Sequence, residues 1–90
     1  MALFKIIESE SINGSKEPNL RSIFKIELIK GELNEGDIIR LYETHHPIDF
    51  EIKKIEINAI YTSKAIPWNN WNHGTIVDTE NIKLAMKRRS

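Results

Sequence analysis

The chain has 90 residues, of which 40% are hydrophobic, and it carries 13 basic side chains, 13 acidic side chains and no cysteine. This length suits one domain with one core, and the zero formal charge argues against a protein that coats nucleic acid over its whole surface. Disulfides and thiolate metal sites are excluded. Because the chain has neither an apolar run of about 18 residues nor an N-terminal export signal, we expect a soluble, cytoplasmic protein without a membrane span.

The hydrophobic pattern has a period of two over most of the chain, and isoleucine recurs in almost every segment. Alternation of β-branched residues is typical of strands. The predicted strands cover residues 3–8, 21–30, 37–43 and 49–58, a continuation over 59–66, and two short segments at 75–78 and 82–86. With no convincing helical period, the sequence predicts an all-β fold: a small, closed or partly open antiparallel barrel, formed as a single domain by residues 1–90.

Turn-forming residues separate these strands. Residues 11–19 contain Asn-Gly-Ser and Glu-Pro-Asn, and we expect a flexible polar loop there. Gly31 and Gly36 bracket a short segment, and glycine reaches positive φ without a steric penalty. A reversal between two strands is therefore predicted at residues 31–36.

The inward-facing residues can be assigned from the same alternation. In the second strand Phe24, Ile26 and Leu28 are predicted to face the core, while Ile23 and Ile29 indicate that the other face is partly covered as well. Ile39 and Leu41 are predicted to face inward from the third strand.

The fourth strand changes its phase halfway along. Phe50 and Ile52 alternate, whereas Ile55 and Ile57 do so one residue out of step. A β-bulge at Lys53-Lys54 would keep both pairs on the inner face, because a bulge adds one unpaired residue to a strand.

A longer pattern joins the second and third strands. In chain order the pattern has an apolar residue, a glycine, any one residue, an apolar residue, any two residues and a Gly-Asp pair. The positions that carry it are Ile23, Leu28, Gly31, Leu33, Gly36, Asp37, Ile39 and Leu41. This pattern resembles the hairpin between two strands in the β-barrel domain 2 of elongation factor Tu and related translational GTPases. Residues 53–57 resemble the next strand of that family, and residues 74–77 its closing segment.

The pattern also makes physical sense by itself. The two glycines permit a tight backbone, Leu33 is expected to fold back onto the core, and the Asp37 carboxylate is expected to accept backbone N–H groups in the turn. The chain departs from the family where Leu20-Arg21 replaces an Arg-Gly pair and Ile26 replaces a glycine. No RNA-binding residue is therefore transferred from the family, and without a phosphate-binding Gly-x-x-x-x-Gly-Lys-Ser/Thr motif the resemblance implies a stand-alone accessory barrel with no nucleotide site.

Few residues suggest catalysis or metal binding. His45, His46 and His73 could bind a metal ion only if a third ligand converged on them, and neighbouring residues of a strand point to opposite faces. No arrangement of Ser, His and Asp indicates a nucleophile. We expect a protein that is not an enzyme and holds no metal or other cofactor.

The most unusual segment is residues 67–74, which contains two tryptophans and three asparagines. Exposed tryptophans on loops often anchor partners, because their rings combine a large apolar area with one N–H donor. Trp68, Trp71 and His73 are therefore predicted to bind a partner. The alternative is that both indole rings cap the open end of the barrel.

The C-terminus is basic: Lys83, Lys87, Arg88 and Arg89 follow residue 82 without an acidic residue. The tail at residues 87–90 could contact phosphate through Lys87, Arg88 and Arg89, or it could serve only solubility. The sequence thus predicts a non-catalytic interaction module that binds a protein partner or forms a homo-oligomer, and the alternative is a module that binds RNA or the ribosome through its tail.

Overall fold

A computed structural model describes residues 2–12 and 20–79 of the chain. Within these ranges the protein forms six strands: β1 (Ala2–Ser11), β2 (Ser22–Gly31), β3 (Ile38–Glu43), β4 (His46–Glu56), β5 (Ala59–Thr62) and β6 (Ile76–Asp78). They make one antiparallel sheet in the order β3-β4-β5-β2-β1-β6, and the edge strands β3 and β6 lie against each other. The sheet therefore curves into a nearly closed barrel, and the predicted all-β barrel is confirmed.

Three of the sequence-based predictions fall partly or wholly outside the described residues. These are the flexible loop at residues 11–19, of which only residues 11 and 12 are described, the strand at 82–86 and the basic tail at 87–90. Within the described ranges the strands differ from prediction mainly at their ends, since β4 begins at His46 and β5 ends at Thr62.

One core fills the barrel, and all six strands contribute to it. The buried side chains are Phe4, Ile6, Phe24, Ile26, Ile39, Leu41, Phe50, Ile52, Ile60, Ile66, Trp71 and Val77. Complete burial of one such side chain contributes about 1.5–3 kcal/mol relative to leaving it exposed. The inward phase predicted for Phe24, Ile26, Ile39 and Leu41 is confirmed.

A β-bulge interrupts the ladder between β4 and β5. The paired residues pass from Ile52 directly to Lys54, so that Lys53 has no partner in the register. The bulge predicted at Lys53-Lys54 is confirmed. It shifts the phase of β4 so that Ile55 pairs with the buried Ile60, but Ile55 itself is 37% exposed and does not belong to the buried core.

The prediction that Ile57 faces the core is wrong. β4 ends at Glu56 and β5 begins at Ala59, so Ile57 and Asn58 form a two-residue hairpin turn in which Asn58 has a φ of 61°. The Ile57 residue is 93% exposed. The alternating pattern runs on into the turn, and alternation alone does not mark where a strand ends.

The far end of β2 is also more exposed than predicted. Leu28, which was expected to face the core, and Ile29, whose face was expected to be covered, are both about half exposed. The cause is the length of β5, which pairs with β2 only as far as Lys25. Within the described part of the chain, residues 27–31 therefore have β1 as a neighbour on one side and lack a paired strand on the other.

The connection between β2 and β3 has the local geometry that its residues predict. Gly31 and Gly36 have φ values of 77° and 92°, and Leu33 packs against the core. The Asn34 backbone N–H donates to Asp37 Oδ2 at 2.9 Å. The expected roles of the glycines, Leu33 and Asp37 are confirmed.

The topology of this connection differs from the prediction. β2 and β3 are not neighbours, because β5 and β4 lie between them, and the predicted hairpin is therefore wrong. Instead the segment carries the chain to the edge of the sheet and is fixed to β4: Gly36 N donates to Ile52 O, and Ile52 N donates to Asp37 O, both at 2.8 Å.

Candidate functional site

Residues 67–74, here called the aromatic loop, connect β5 to β6 through successive turns. Asn70, Asn72 and Gly74 have φ values of 61°, 60° and 82°. Asparagine and glycine enter this left-handed region more readily than other residues. The unusual asparagine content of the segment thus explains how the chain makes so compact a loop.

Hydrogen bonds hold the aromatic loop along β1. Asn70 N donates to Ser9 O and Gly74 N donates to Ile6 O, each at 2.6 Å. In addition, the buried Ser9 hydroxyl donates to Trp71 O at 2.8 Å. These bonds fix the backbone of the loop on a strand of the barrel, so that the loop has one defined position relative to the core.

Trp71 lies inside the barrel and is 2% exposed. Its ring centroid is 5.6 Å from that of Phe50, with the planes tilted by 52°, and Phe50 makes an edge-to-face contact with Phe24 at 5.6 Å. Such aromatic pairs contribute about 0.5–1.5 kcal/mol beyond the area that they bury. Trp71 is therefore a core residue in this structure, and its ring is not presented to a partner.

Trp68 lies three residues earlier and is 59% exposed. Its backbone is held in the turn, because Trp71 N donates to Trp68 O at 3.3 Å. The two tryptophans of the sequence therefore have different positions: Trp71 anchors the loop in the core, and Trp68 offers an indole ring at the surface.

His73 also lies at the surface of the loop. Its Nδ1 atom is 3.2 Å from Asn70 O, a distance at which a protonated Nδ1 donates a hydrogen bond. The neighbouring Asn72 side chain donates through Nδ2 to Tyr42 O at 3.3 Å, which ties the loop to β3 as well. Of the predicted partner-binding residues, Trp68 and His73 are therefore accessible.

A polar cleft of about 210 Å³ lies between β1, β2 and the aromatic loop. It is lined by Glu8, Ser9, Glu10, Ile23, Lys25, Asn69 and Asn70. Lys25 Nζ lies 3.4 Å from Glu8 Oε2, and both side chains are more than half exposed, so this ion pair contributes about 0–1 kcal/mol. The cleft places amide and charged groups next to the loop segment that carries Trp68. The sequence did not predict this proximity, because β1, β2 and the loop are far apart along the chain.

The best-defined ion pair joins β3 to β4. Arg40 donates to Asp49 through Nε at 2.7 Å and through Nη2 at 3.0 Å. The pKa of Arg40 is raised above its ordinary value by this hydrogen bonding and by the negative charge of Asp49. The two residues face each other in the ladder, so their role is to fix the register of the hairpin.

The predicted histidines do not converge. His45 lies in the turn between β3 and β4, His46 is the first residue of β4, and both are exposed. Across residues 2–12 and 20–79 no three His, Cys, Asp or Glu side chains are grouped so as to hold a metal ion. The same ranges include no helix long and apolar enough to cross a membrane. Lys87, Arg88 and Arg89 lie outside the described residues.

A scan of the chain against protein-family models and searches of the curated proteins and the solved structures find no match. The aromatic loop and the adjacent cleft are accordingly the basis for a functional proposal.

Proposed function

We propose that this protein is a non-catalytic binding module that contacts a protein partner through Trp68 on the aromatic loop. The observation that carries the proposal is the combination of an exposed indole with a backbone fixed by Ser9, Ile6 and the buried Trp71. A ring on a preorganised loop loses little conformational freedom on binding, so more of its interaction free energy is retained as affinity.

The area of the indole sets the scale of the effect. Aromatic side chains bury roughly 150–250 Å², so covering the exposed part of Trp68 would remove on the order of 100 Å² from water, and about 25 cal/mol per Å² gives ~2.5 kcal/mol. Residues that contribute about 2 kcal/mol or more are the ones that dominate interfaces. Loss of this ~2.5 kcal/mol on removal of the indole corresponds to a roughly 70-fold larger dissociation constant.

We further propose that the module is related to the accessory barrels of translational GTPases and acts in the cytoplasm. The support comes from the local geometry of residues 31–37, where the glycine conformations, the packing of Leu33 and the hydrogen bond to Asp37 suit the shared pattern. β2 and β3 do not form the hairpin of that pattern.

The test is an affinity capture with the tagged protein from extract of its own cells at low and high salt, followed by measurement of the dissociation constant with each purified candidate. Trp68→Ala should weaken a true partner at least tenfold. Ile76→Ala is the matched control, since Ile76 on β6 has the same 59% exposure, and it should bind like the wild type. A partner that binds Trp68→Ala with unchanged affinity would refute the proposal.

The second candidate function is binding to RNA or the ribosome. It is favoured by the basic C-terminus, in which Lys87, Arg88 and Arg89 are consecutive in the sequence. Removing one basic side chain that neutralises a phosphate should reduce the slope of log affinity against log salt concentration by about 0.7–0.9. Deleting residues 87–90 should therefore flatten the salt dependence of RNA binding, and a binding curve unaffected by salt would exclude this candidate.

A further inference from the structure

A second exposed surface lies on the outer side of β1, β2 and the turn between β4 and β5. It contains a groove of about 400 Å³ lined by Ile7, Lys25, Ile26, Glu27, Ile57, Asn58 and Ala59. Four of these seven residues are apolar; Ile26 and Ala59 are buried in the fold, and Ile7 and Ile57 are the exposed ones. The most exposed is Ile57, at 93%, and Ile7 is 43% exposed.

Both exposed isoleucines lie at irregular positions of the sheet. Ile57 occupies a two-residue hairpin turn, where glycine, asparagine and aspartate are the favoured residues. Ile7 lies at a β-bulge, because the register between β1 and β2 passes from Ile6 directly to Glu8. Two exposed aliphatic side chains that line one groove make this surface a candidate contact site for another molecule.

The charges beside the groove are arranged in a self-complementary way. Lys25 and Glu27 are two residues apart on β2 and flank Ile26; alternate strand residues point to the same face and are separated by about 7 Å. In a two-fold interface residue i contacts residue j, and j contacts i. Such a two-fold axis can lie in the plane between the two copies and run perpendicular to β2 at the level of Ile26. Rotation about this axis places Lys25 of each copy opposite Glu27 of the other.

The same axis brings each exposed isoleucine against its own counterpart. Rotation about this axis keeps every residue on the same side of β2. Ile57 of one copy therefore faces Ile57 of the other, and Ile7 faces Ile7. Lys25 also pairs with Glu8 at 3.4 Å, but its side chain remains 60% exposed, so its ammonium group can reach a second carboxylate.

We infer that this groove is the interface of a homodimer and that its occupant is the same surface of a second copy. The exposed lining carries one positive and one negative side chain on β2, between Ile7 on one side and Ile57 on the other, and this arrangement complements itself. The inference does not depend on the aromatic loop. Trp68→Ala should leave the dimer intact, so failure of the dimer and failure of the proposed partner contact can be told apart.

The oligomeric state gives the first test. Sedimentation analysis between about 1 µM and 1 mM, a range that covers weak to moderate association, should show a mass of twice 10.5 kDa at the upper end. Ile57→Asp should raise the dissociation constant at least tenfold, and Ile76→Asp, at an exposed isoleucine outside the groove, should leave it unchanged. A monomer throughout, or a dimer indifferent to Ile57→Asp, would overturn the inference.

A charge exchange tests the two-fold arrangement itself. In a Glu8→Gln background, which avoids a new repulsion beside position 25, Lys25→Glu alone and Glu27→Lys alone should each weaken the dimer at least threefold. Combining the two restores opposite charges across the axis, and the dissociation constant should return to within about twofold of the background value. A double variant as weak as the single ones would show that Lys25 and Glu27 do not face each other. Circular dichroism verifies that each variant is folded.

Discussion

Replacing Trp71 with alanine should lower the free energy of unfolding by about 3–5 kcal/mol, the range observed for truncation of a buried tryptophan or phenylalanine. The indole is 2% exposed and packs against Phe50 at 5.6 Å, so its removal leaves a cavity at the centre of the barrel. Small domains are stable by only about 5–15 kcal/mol. The substitution therefore consumes a large part of the total stability.

Trp68→Ala is the matched comparison, because it removes the same side chain from the same loop. Surface substitutions usually change stability by less than about 0.5 kcal/mol, and Trp68 is 59% exposed. Urea unfolding followed by circular dichroism measures both variants. With a slope of about 1 kcal/mol per molar urea or slightly more, the midpoint of Trp71→Ala should fall by roughly 2–4 M, and that of Trp68→Ala by less than about 0.5 M. Equal losses in the two variants would refute the different placement of the two rings.

Two further substitutions test polar contacts that hold the barrel together. The buried hydroxyls of Ser22 and Thr62 are hydrogen-bonded to each other, and Thr62 also donates to Lys64 O at 3.2 Å. Thr62→Val should lower the free energy of unfolding by about 1–3 kcal/mol, since it leaves the buried Ser22 hydroxyl without its partner. Ser22→Ala should lower it less, because Thr62 keeps its hydrogen bond to Lys64 O. Equal losses for the two variants in urea unfolding would contradict this reasoning. Asp37→Ala removes the acceptor of the Asn34 N–H and should cost about 1 kcal/mol, so a change below about 0.3 kcal/mol in the same assay would show that the contact is not stabilising.

The features that could be predicted from the sequence depend on near neighbours along the chain. Ile39 and Leu41 face the core because buried and exposed side chains alternate in a half-buried strand. The bulge at Lys53-Lys54 follows from a shift in that alternation, and the hydrogen bond to Asp37 spans only three residues. In each case the relevant partners lie within a few positions.

The features that could not be predicted depend on contacts between distant parts of the chain. β2 and β3 are consecutive in sequence, yet β4 and β5 separate them in the sheet, and nothing in their alternation specifies strand order. The sequence also did not predict that Trp71 rather than Trp68 is buried, because an irregular loop has no periodicity from which to assign an inner face. This burial depends in part on Ser9, 62 residues away, whose hydroxyl binds the Trp71 carbonyl.

The hydrogen bonds between the aromatic loop and β1 have a consequence for aggregation. β1 has ten residues, but β6 pairs only with residues 3–5, which would leave much of one side of the strand open. Open strand edges are templates for pairing with other chains. On this side the backbone N–H groups of Asn70 and Gly74 donate to the carbonyl oxygens of Ser9 and Ile6. If the loop detached, these two carbonyl oxygens would be free to accept hydrogen bonds from another chain. The loop that displays an apolar ring thus also covers part of a strand edge that could otherwise pair with another chain.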